Sequence, residues 1–348
     1  MTYTDAWERL TRRMGYWIDM KDPYITYDNK YIETLWHLLA ELYKKGLLYK
    51  GYTIQPYSPA AGTGLSNHEL NQPGCYRDVK DTTCTALFRI VRDQQSERLF
   101  DGADGDVYFM AWTTTPWTLP SNTALAVGPA IRYVRVRSFN PNTGAPLTVF
   151  LAKDLCPAYF PKKNEDLPMD GYEAGSKNVP FRVEGEYVGK DLAGIRYEPL
   201  LPWIAPDGDA FRVITGDYVT TEDGTGIVHI APTFGADDDR VAKQSGIPPL
   251  VVVDRAGKRQ PMVDRTGKFF RLEDLDPEFV RTHVDAAAYG EFAGRFVKNA
   301  YDPALSEADP TLDVDLCMKL KFEGKAFRIE NQTHNNPHCY PTDNPELN

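Results

Sequence analysis

The chain has 348 residues, of which 42% are apolar and 12% aromatic, enough for two domains or for one large domain with an insertion and a sizeable core. Its 39 basic and 49 acidic residues leave a net charge of −10, which argues against a protein that grips a nucleic-acid backbone along its length. Cys75, Cys84, Cys156, Cys317 and Cys339 form no C-x-x-C pair, no apolar run approaches the roughly 18 residues of a membrane span, and the polar N-terminus is no secretory signal; a reducing cytoplasm is expected.

In chain order, Thr4 is expected to cap a first helix, with Trp7, Leu10 and Met14 on one face and Gly15 at its end. Asp28 is expected to cap a second, in which Ile32, Leu35, Trp36, Leu39, Leu42 and Tyr43 form an apolar stripe and Gly46 stops the helix. Both stripes read as core-packing faces more readily than as partner grooves. After a run from 52 to 57, strand patterns dominate from about Thr85: 86–91, 107–112, 133–139, 148–152, 181–187 and 211–214. Short strands punctuated by Gly and Pro suggest an antiparallel barrel rather than βαβ repeats. The Pro-, Lys- and Asp-rich stretch 153–179 reads as a surface excursion, 251–254 as a strand, and 272–287 as partly helical.

Two stretches carry chemistry. In the first, a strand ending near Trp112 delivers Thr113, Thr114 and Thr115, and the chain turns through Pro116, Trp117, Thr118, Leu119 and Pro120. The prolines fix φ and push Thr115 and Leu119 away from helix, leaving a stiff corner bearing hydroxyls. Such hydroxyls hold a ribose, a carbonyl oxygen or a water, or simply bond to nearby backbone. In the second, GTGIVHIAPTFGADDD from Gly224 to Asp239, Ile227, Val228 and Ile230 form a short buried strand, with His229 on the opposite face from its neighbours. A helix, 238–244, follows Gly235 and Asp237 and stops at Gly246 and Pro248. Acidic residues at a helix start complement its dipole, and one of the three aspartates is expected to do only that.

Together these stretches resemble the editing domain of the class I aminoacyl-tRNA synthetases that charge isoleucine, valine and leucine, the isoleucyl members most closely. TTTPWTLPSN runs from Thr113 to Asn122, where valyl and leucyl relatives carry TTRP-type versions, and the family pattern GTGxVHxAPxxGxDD runs from Gly224 to Asp238. Segments around Gly194, Ile195, Tyr197 and Pro199, FAGRFVK from Phe292 to Lys298, and HNNPHCYPTDNP from His334 to Pro345 also resemble the family. The resemblance implies an α+β, mainly β fold: a Greek-key-like β-barrel with peripheral helices and a helical connector. It divides the chain into a connector and edge of the catalytic half (1–84), an editing domain (85–325) and a return connector (326–348). HIGH-type and KMSKS-type sequences, which position ATP in this class, do not occur in the chain. A fragment is therefore expected, with Met1 an introduced start, unable to activate an amino acid by itself; ATP and magnesium would serve the full-length enzyme. Many members bind a structural zinc through two Cys pairs; here the four positions are Ser58, Ala61, Cys339 and Thr342, so zinc is not expected. His68, Cys75, His334 and His338 lack ligand spacing with Cys339.

The function so implied is hydrolysis of valine wrongly esterified to the tRNA for isoleucine. Isoleucine and valine differ by one methylene, and a binding pocket alone discriminates such pairs by only about 1–3 kcal/mol, for which isoleucyl enzymes are themselves the standard illustration. No nucleophile elbow or Ser-His-Asp signature is present, so a positioned water is the expected nucleophile. By resemblance, Thr113, Thr114, Thr115 and Asp238 form the catalytic set, and Trp117, Thr118, Asn122 and His229 bind substrate. Asp238 would pair with the substrate α-ammonium, a contact worth roughly 1.5–3 kcal/mol. His229 is read as a wall that sets size, with a general base or a structural histidine as alternatives; Trp117 either floors the pocket or fills core. A metal held by Asp237, Asp238, Asp239 and His229 is disfavoured, since the family's editing chemistry is metal-free. The expected partners are the 3′ end of the tRNA carrying valine and the rest of the synthetase in cis, with no membrane and a monomeric state. Competing readings are an inactive tRNA 3′-end-binding spacer and a valyl-type editor acting on threonine, the latter disfavoured by Thr115 and Trp117.

Overall fold

The computed structural model describes every residue except Met1, Asp22, Tyr52, Asp104, Glu307, Ala308, Pro341 and Asn348. Met1 as a start, Tyr52 at the head of the 52–57 run and Pro341 in the 334–345 run thus lie outside the described residues. The chain divides into two units, Met1–Thr53 and Ile54–Asn348.

In the first unit, α1 spans Thr2–Arg13 and α2 spans Asn29–Lys44. Helix α1 begins before Thr4, so Thr4 sits inside the first turn and is not its cap. The Asp28 carboxylate does cap α2, accepting the Lys30 N–H at 2.8 Å, and Gly15 and Gly46 follow the two helices with positive φ. Within this chain the apolar stripes stay uncovered: Trp7 and Trp36 are each 67% exposed, and α2 has no buried residue. A stripe of this kind is stabilised only when a second apolar surface covers it, and the described residues of this unit supply none.

In the second unit, the main strands are β1 (Tyr76–Arg89), β2 (Asp106–Thr113), β3 (Ala124–Val127), β4 (Arg132–Phe139), β5 (Pro146–Ala152), β6 (Arg182–Val188), β7 (Arg212–Thr215), β8 (Ile227–Ile230) and β9 (Ala326–Pro337). Six of them make a sheet in the order β9-β1-β2-β5-β4-β6, and three make a second in the order β8-β3-β7. The mainly β, α+β class holds, but among the described residues no sheet closes into a barrel. Nor is the pairing purely antiparallel: β2 runs parallel to β5, and β3 parallel to β7.

Side-chain alternation explains how the larger sheet is buried on both faces. Val107, Phe109 and Ala111 of β2 join Cys84, Ala86 and Phe88 of β1 and Phe150 of β5 in the main core. The intervening Met110, with Leu87, Val149 and Leu151, faces a second cluster closed by Tyr159, Phe160 and Phe181. On the smaller sheet, Ala124, Ala126 and Ile230 pack against Val241 and Ala242 of α3 (Ala236–Ser245). A further helix, α4 (Leu312–Phe322), capped by the Thr311 hydroxyl, buries Leu312, Leu316 and Leu320 in the main core. Strands β1 and β9 pair from Ala86 and Ala326 out to Tyr76 and Pro337, so residues 76–86 and 326–337 form one long antiparallel ladder. No helix among the described residues is long and apolar enough to cross a membrane.

Candidate active site

The two motifs meet because of how the smaller sheet is paired. After β2 the chain makes a 3-10 turn, Pro116–Ser121, that leads into β3. Strand β8 pairs antiparallel with β3, setting His229 opposite Leu125 and Ile230 opposite Ala124. Just before β8, Gly224 and Gly226 adopt φ of +72° and +71°, a region that side-chain-bearing residues rarely enter. A Cβ on Gly226 would stand 2.4 Å from the Ala152 Cβ, so the loop sits flat against the end of β5, where the Tyr133 hydroxyl donates to the Gly226 carbonyl at 2.7 Å. That contact sets the position from which β8 starts.

The result is a row of polar groups. The Thr113 and Thr115 hydroxyls are 3.3 Å apart, Thr115 and Thr118 likewise 3.3 Å, and the Thr118 hydroxyl lies 3.1 Å from Nε2 of His229. The backbone of the corner is occupied internally. Thr115 N–H donates to the Thr113 hydroxyl, Thr118 N–H to the Thr115 carbonyl, and Trp117 N–H to the Asp313 carboxylate at 2.7 Å. Asp313, on α4, is thereby the clamp that holds the turn; burial pushes its carboxyl up to about 8, against the opposing effect of the Trp117 N–H.

A cavity of about 190 Å3 opens over this row. It is lined by Thr115, Trp117, Thr118, His229, Ala231, Phe234, Gly235, Asp238, Lys298, Asn336 and Glu346. Its apolar wall is Trp117, whose ring meets Phe234 edge-on at 4.9 Å. His229 is buried, and burial lowers its pKa from 6.5 to about 4, so it is neutral. Its Nδ1 has no hydrogen-bond partner among the described residues; the Thr118 hydroxyl at Nε2 orients the ring, and no carboxylate does.

Asp238 sits in the first turn of α3. One carboxylate oxygen accepts the Ala231 N–H at 2.9 Å and the other lies 3.4 Å from the Tyr218 hydroxyl, which leaves lone pairs for a further donor. Burial raises its pKa, partly offset by those two bonds. Its neighbours are engaged elsewhere: Asp237 pairs with Arg240 at 3.0 Å and Asp239 with Lys243 at 2.5 Å. No cluster of three or more His, Cys, Asp or Glu with metal-binding geometry occurs among the described residues. At Ser58, Ala61, Cys339 and Thr342, the four positions compared with the zinc pairs, the Ser58 hydroxyl accepts the Ala61 N–H, and Cys339 is the one thiol. That donor set does not fit a tetrahedral metal.

Of the eight residues singled out in the sequence, the cavity brings together Thr115, Trp117, Thr118, His229 and Asp238. Thr113 stands one step behind, touching Thr115. Thr114 is half-buried and does not line the cavity. Asn122 is buried in a structural role, donating to the Ala124 carbonyl and accepting the Tyr197 hydroxyl at 2.7 Å. Lys298, Asn336 and Glu346 line the cavity without having been singled out. Lys298 and Asn336 do fall in the segments FAGRFVK and HNNPHCYPTDNP, so the signal lay in the segment and not in the residue.

A family model described as "tRNA synthetases class I (I, L, M and V)" matches residues 1–308. The chain is 62% identical to isoleucine–tRNA ligase from Bacteroides fragilis over 347 residues, and 62% identical to that of Porphyromonas gingivalis over 349 residues. Each alignment covers 100% of this chain and 30% of the relative, so the chain spans about a third of the length of the curated relatives it matches. Among solved structures, the P. knowlesi cytosolic leucyl-tRNA synthetase editing domain superposes with a TM-score of 0.36 at 10% identity, covering 48% of this chain and 64% of that one. The GlLeuRS-CP1 crystal structure gives 0.43 at 15% identity, with 72% and 99% covered. With the family matched over residues 1–308 and these identities over its full length, the chain belongs to the class I tRNA synthetases, as a segment of the isoleucine–tRNA ligase type.

Proposed function

We propose that this segment proofreads: it hydrolyses the ester that joins valine to the 3′-terminal adenosine of the tRNA for isoleucine. The observation that carries the reading is the convergence of Thr115, Thr118, His229 and Asp238 on a single small cavity beneath Trp117 and Phe234. At about 190 Å3 the cavity has room for a branched side chain and its ester.

In this reading Asp238 holds the substrate α-ammonium, which distinguishes an aminoacyl ester from a plain acyl group. The Thr115 and Thr118 hydroxyls hold the ribose or the attacking water at the carbonyl carbon. Neutral His229, fixed by Thr118, closes the end of the side-chain pocket and excludes the extra methylene of isoleucine. Thr113 and Thr114 support the corner from behind, and Asn122 fixes the start of β3. The tRNA body and the remaining synthetase act in cis, and ATP with magnesium serves that remainder. The enzyme works as a monomer in the cytoplasm.

The test is release of valine from valyl-tRNA by the full-length synthetase carrying Asp238→Ala. Loss of a charge-assisted contact predicts a decrease of about 10–100-fold. Undiminished release would reject the assignment.

A further inference from the structure

Ester hydrolysis needs a donor for the oxygen that becomes negative when water adds to the carbonyl, and the Thr115 and Thr118 hydroxyls are already given to the ribose or the water. Five of the backbone amides that border the cavity are committed. Trp117 N–H is bound to Asp313, Thr118 N–H to the Thr115 carbonyl, Ala231 N–H to Asp238, and the N–H groups of Phe234 and Gly235 to the Ala231 carbonyl. His229 is neutral with Nε2 on Thr118, and Asp238 is an acceptor. Among the described residues that line the cavity, Lys298 is the one cationic side chain.

Lys298 is held in place by its neighbours, since the Val297 N–H donates to the Gly267 carbonyl at 2.9 Å and Val297 is buried in the main core. Burial lowers the pKa of its ammonium, while Asp81, Asp313 and Glu346 favour the charged form. Two of those carboxylates have other partners: Asp81 binds His334 at 2.9 Å, and Asp313 takes the Trp117 N–H. Among the described residues the Lys298 side chain makes no hydrogen bond or ion pair, and it shares the cavity with Glu346, whose two carboxylate oxygens also lack a hydrogen-bond partner, so its N–H groups are free to donate to a transient anion.

We propose that Lys298 is a further catalytic residue, donating to the ester carbonyl oxygen as it becomes an oxyanion. In the step, the water oxygen bonds to the carbonyl carbon and the π pair moves to the oxygen facing Lys298. On collapse the carbon–ribose-oxygen bond breaks, and the ribose oxygen takes the proton given up by the water. Valine leaves as its acid, which ionises in solvent, and Lys298 is protonated before and after.

This inference rests on the ester-hydrolysis reading above. The test compares Lys298→Met and Lys298→Arg in the full-length synthetase, using valyl-tRNA turnover and binding of a non-hydrolysable valyl-adenosine amide. Removing an oxyanion donor typically lowers kcat by about 10²–10³-fold. The expected result is a fall of that size for Lys298→Met, with KM and amide binding unchanged and partial recovery in Lys298→Arg. Undiminished kcat in Lys298→Met overturns the inference alone. Loss of amide binding together with kcat, not recovered by arginine, shows a structural role and also overturns it. A wild-type enzyme that releases no valine overturns the ester-hydrolysis reading, and this inference with it.

Discussion

The Thr118 hydroxyl lies 3.1 Å from Nε2 of His229, although the two residues are 111 positions apart in the chain. This bond ties the threonine corner to β8 and fixes the imidazole as one wall of the cavity. His229→Ala removes that wall, so the full-length enzyme should begin to release isoleucine from isoleucyl-tRNA, by about 10-fold or more over wild type. One methylene is worth about 1–3 kcal/mol in such a pocket. Continued protection of isoleucyl-tRNA would discard the size-gate role.

The same buried imidazole makes stability depend on pH. Its folded pKa of about 4 lies below the ordinary 6.5, so between those values the unfolded chain binds more protons than the folded one. The contribution is fully present above pH 6.5 and is lost as pH falls toward 4, on the order of 3 kcal/mol in total. Denaturant titrations of the chain at pH 7 and pH 5, wild type against His229→Gln, should show the smaller loss in the variant. Equal losses would mean that His229 does not titrate as a buried neutral group.

Asp313 works in the opposite direction. Its folded pKa of about 8 lies above the unfolded 3.8, so the folded state holds the extra proton and stability falls as pH rises through that window. Asp313→Asn keeps an acceptor for the Trp117 N–H without the charge, and should be more stable than wild type at pH 8 by about 1–3 kcal/mol, with little difference at pH 4. Asp313→Ala leaves that N–H without its acceptor and should be less stable by a similar amount. An Asn variant as unstable as the Ala variant at pH 8 would refute this account of the clamp.

Gly235 controls the aim of Asp238. Its φ of −108° is ordinary, but a Cβ there would stand 2.7 Å from Cγ of Asp238, so the carboxylate must swing off the Ala231 N–H. Gly235→Ala should therefore lower valine release about as much as Asp238→Ala, while costing only about 1 kcal/mol of stability. Normal release in this variant would show that the carboxylate's position is not what the reaction uses.

Gly226 is a structural counterpart. With a left-handed φ and 2.4 Å between an added Cβ and that of Ala152, Gly226→Ala should cost at least 2 kcal/mol, about 1–2 from the backbone and more from the collision. Gly257 shares the left-handed φ but has nothing within 4 Å, so Gly257→Ala should cost only the backbone share. Equal thermal shifts for the two would contradict the close packing of the loop on β5.

What the sequence determined by itself was local. Strands β2, β4, β5 and β7 were legible to within one or two residues, because each alternates apolar and polar positions or forms a buried run. The corner at Thr113–Pro120 and the start of α3 were legible because Pro and Gly act within a residue or two of where they stand. The outer half of β1 was not, since Tyr76, Arg77, Asp78 and Lys80 carry no buried stripe and are extended only because β9 pairs with them. Helix α4 escaped notice, although Leu312, Leu316 and Leu320 recur at helical spacing. Tertiary structure alone decided that the strands form two open sheets with parallel pairs, and that Asn122 turns into the core and away from the cavity. It alone brought Asp313 to Trp117 and Lys298 to the cavity, because contacts between residues nearly 200 positions apart depend on which strands pair and which helix covers them. Neighbouring residues in the chain carry no record of that choice.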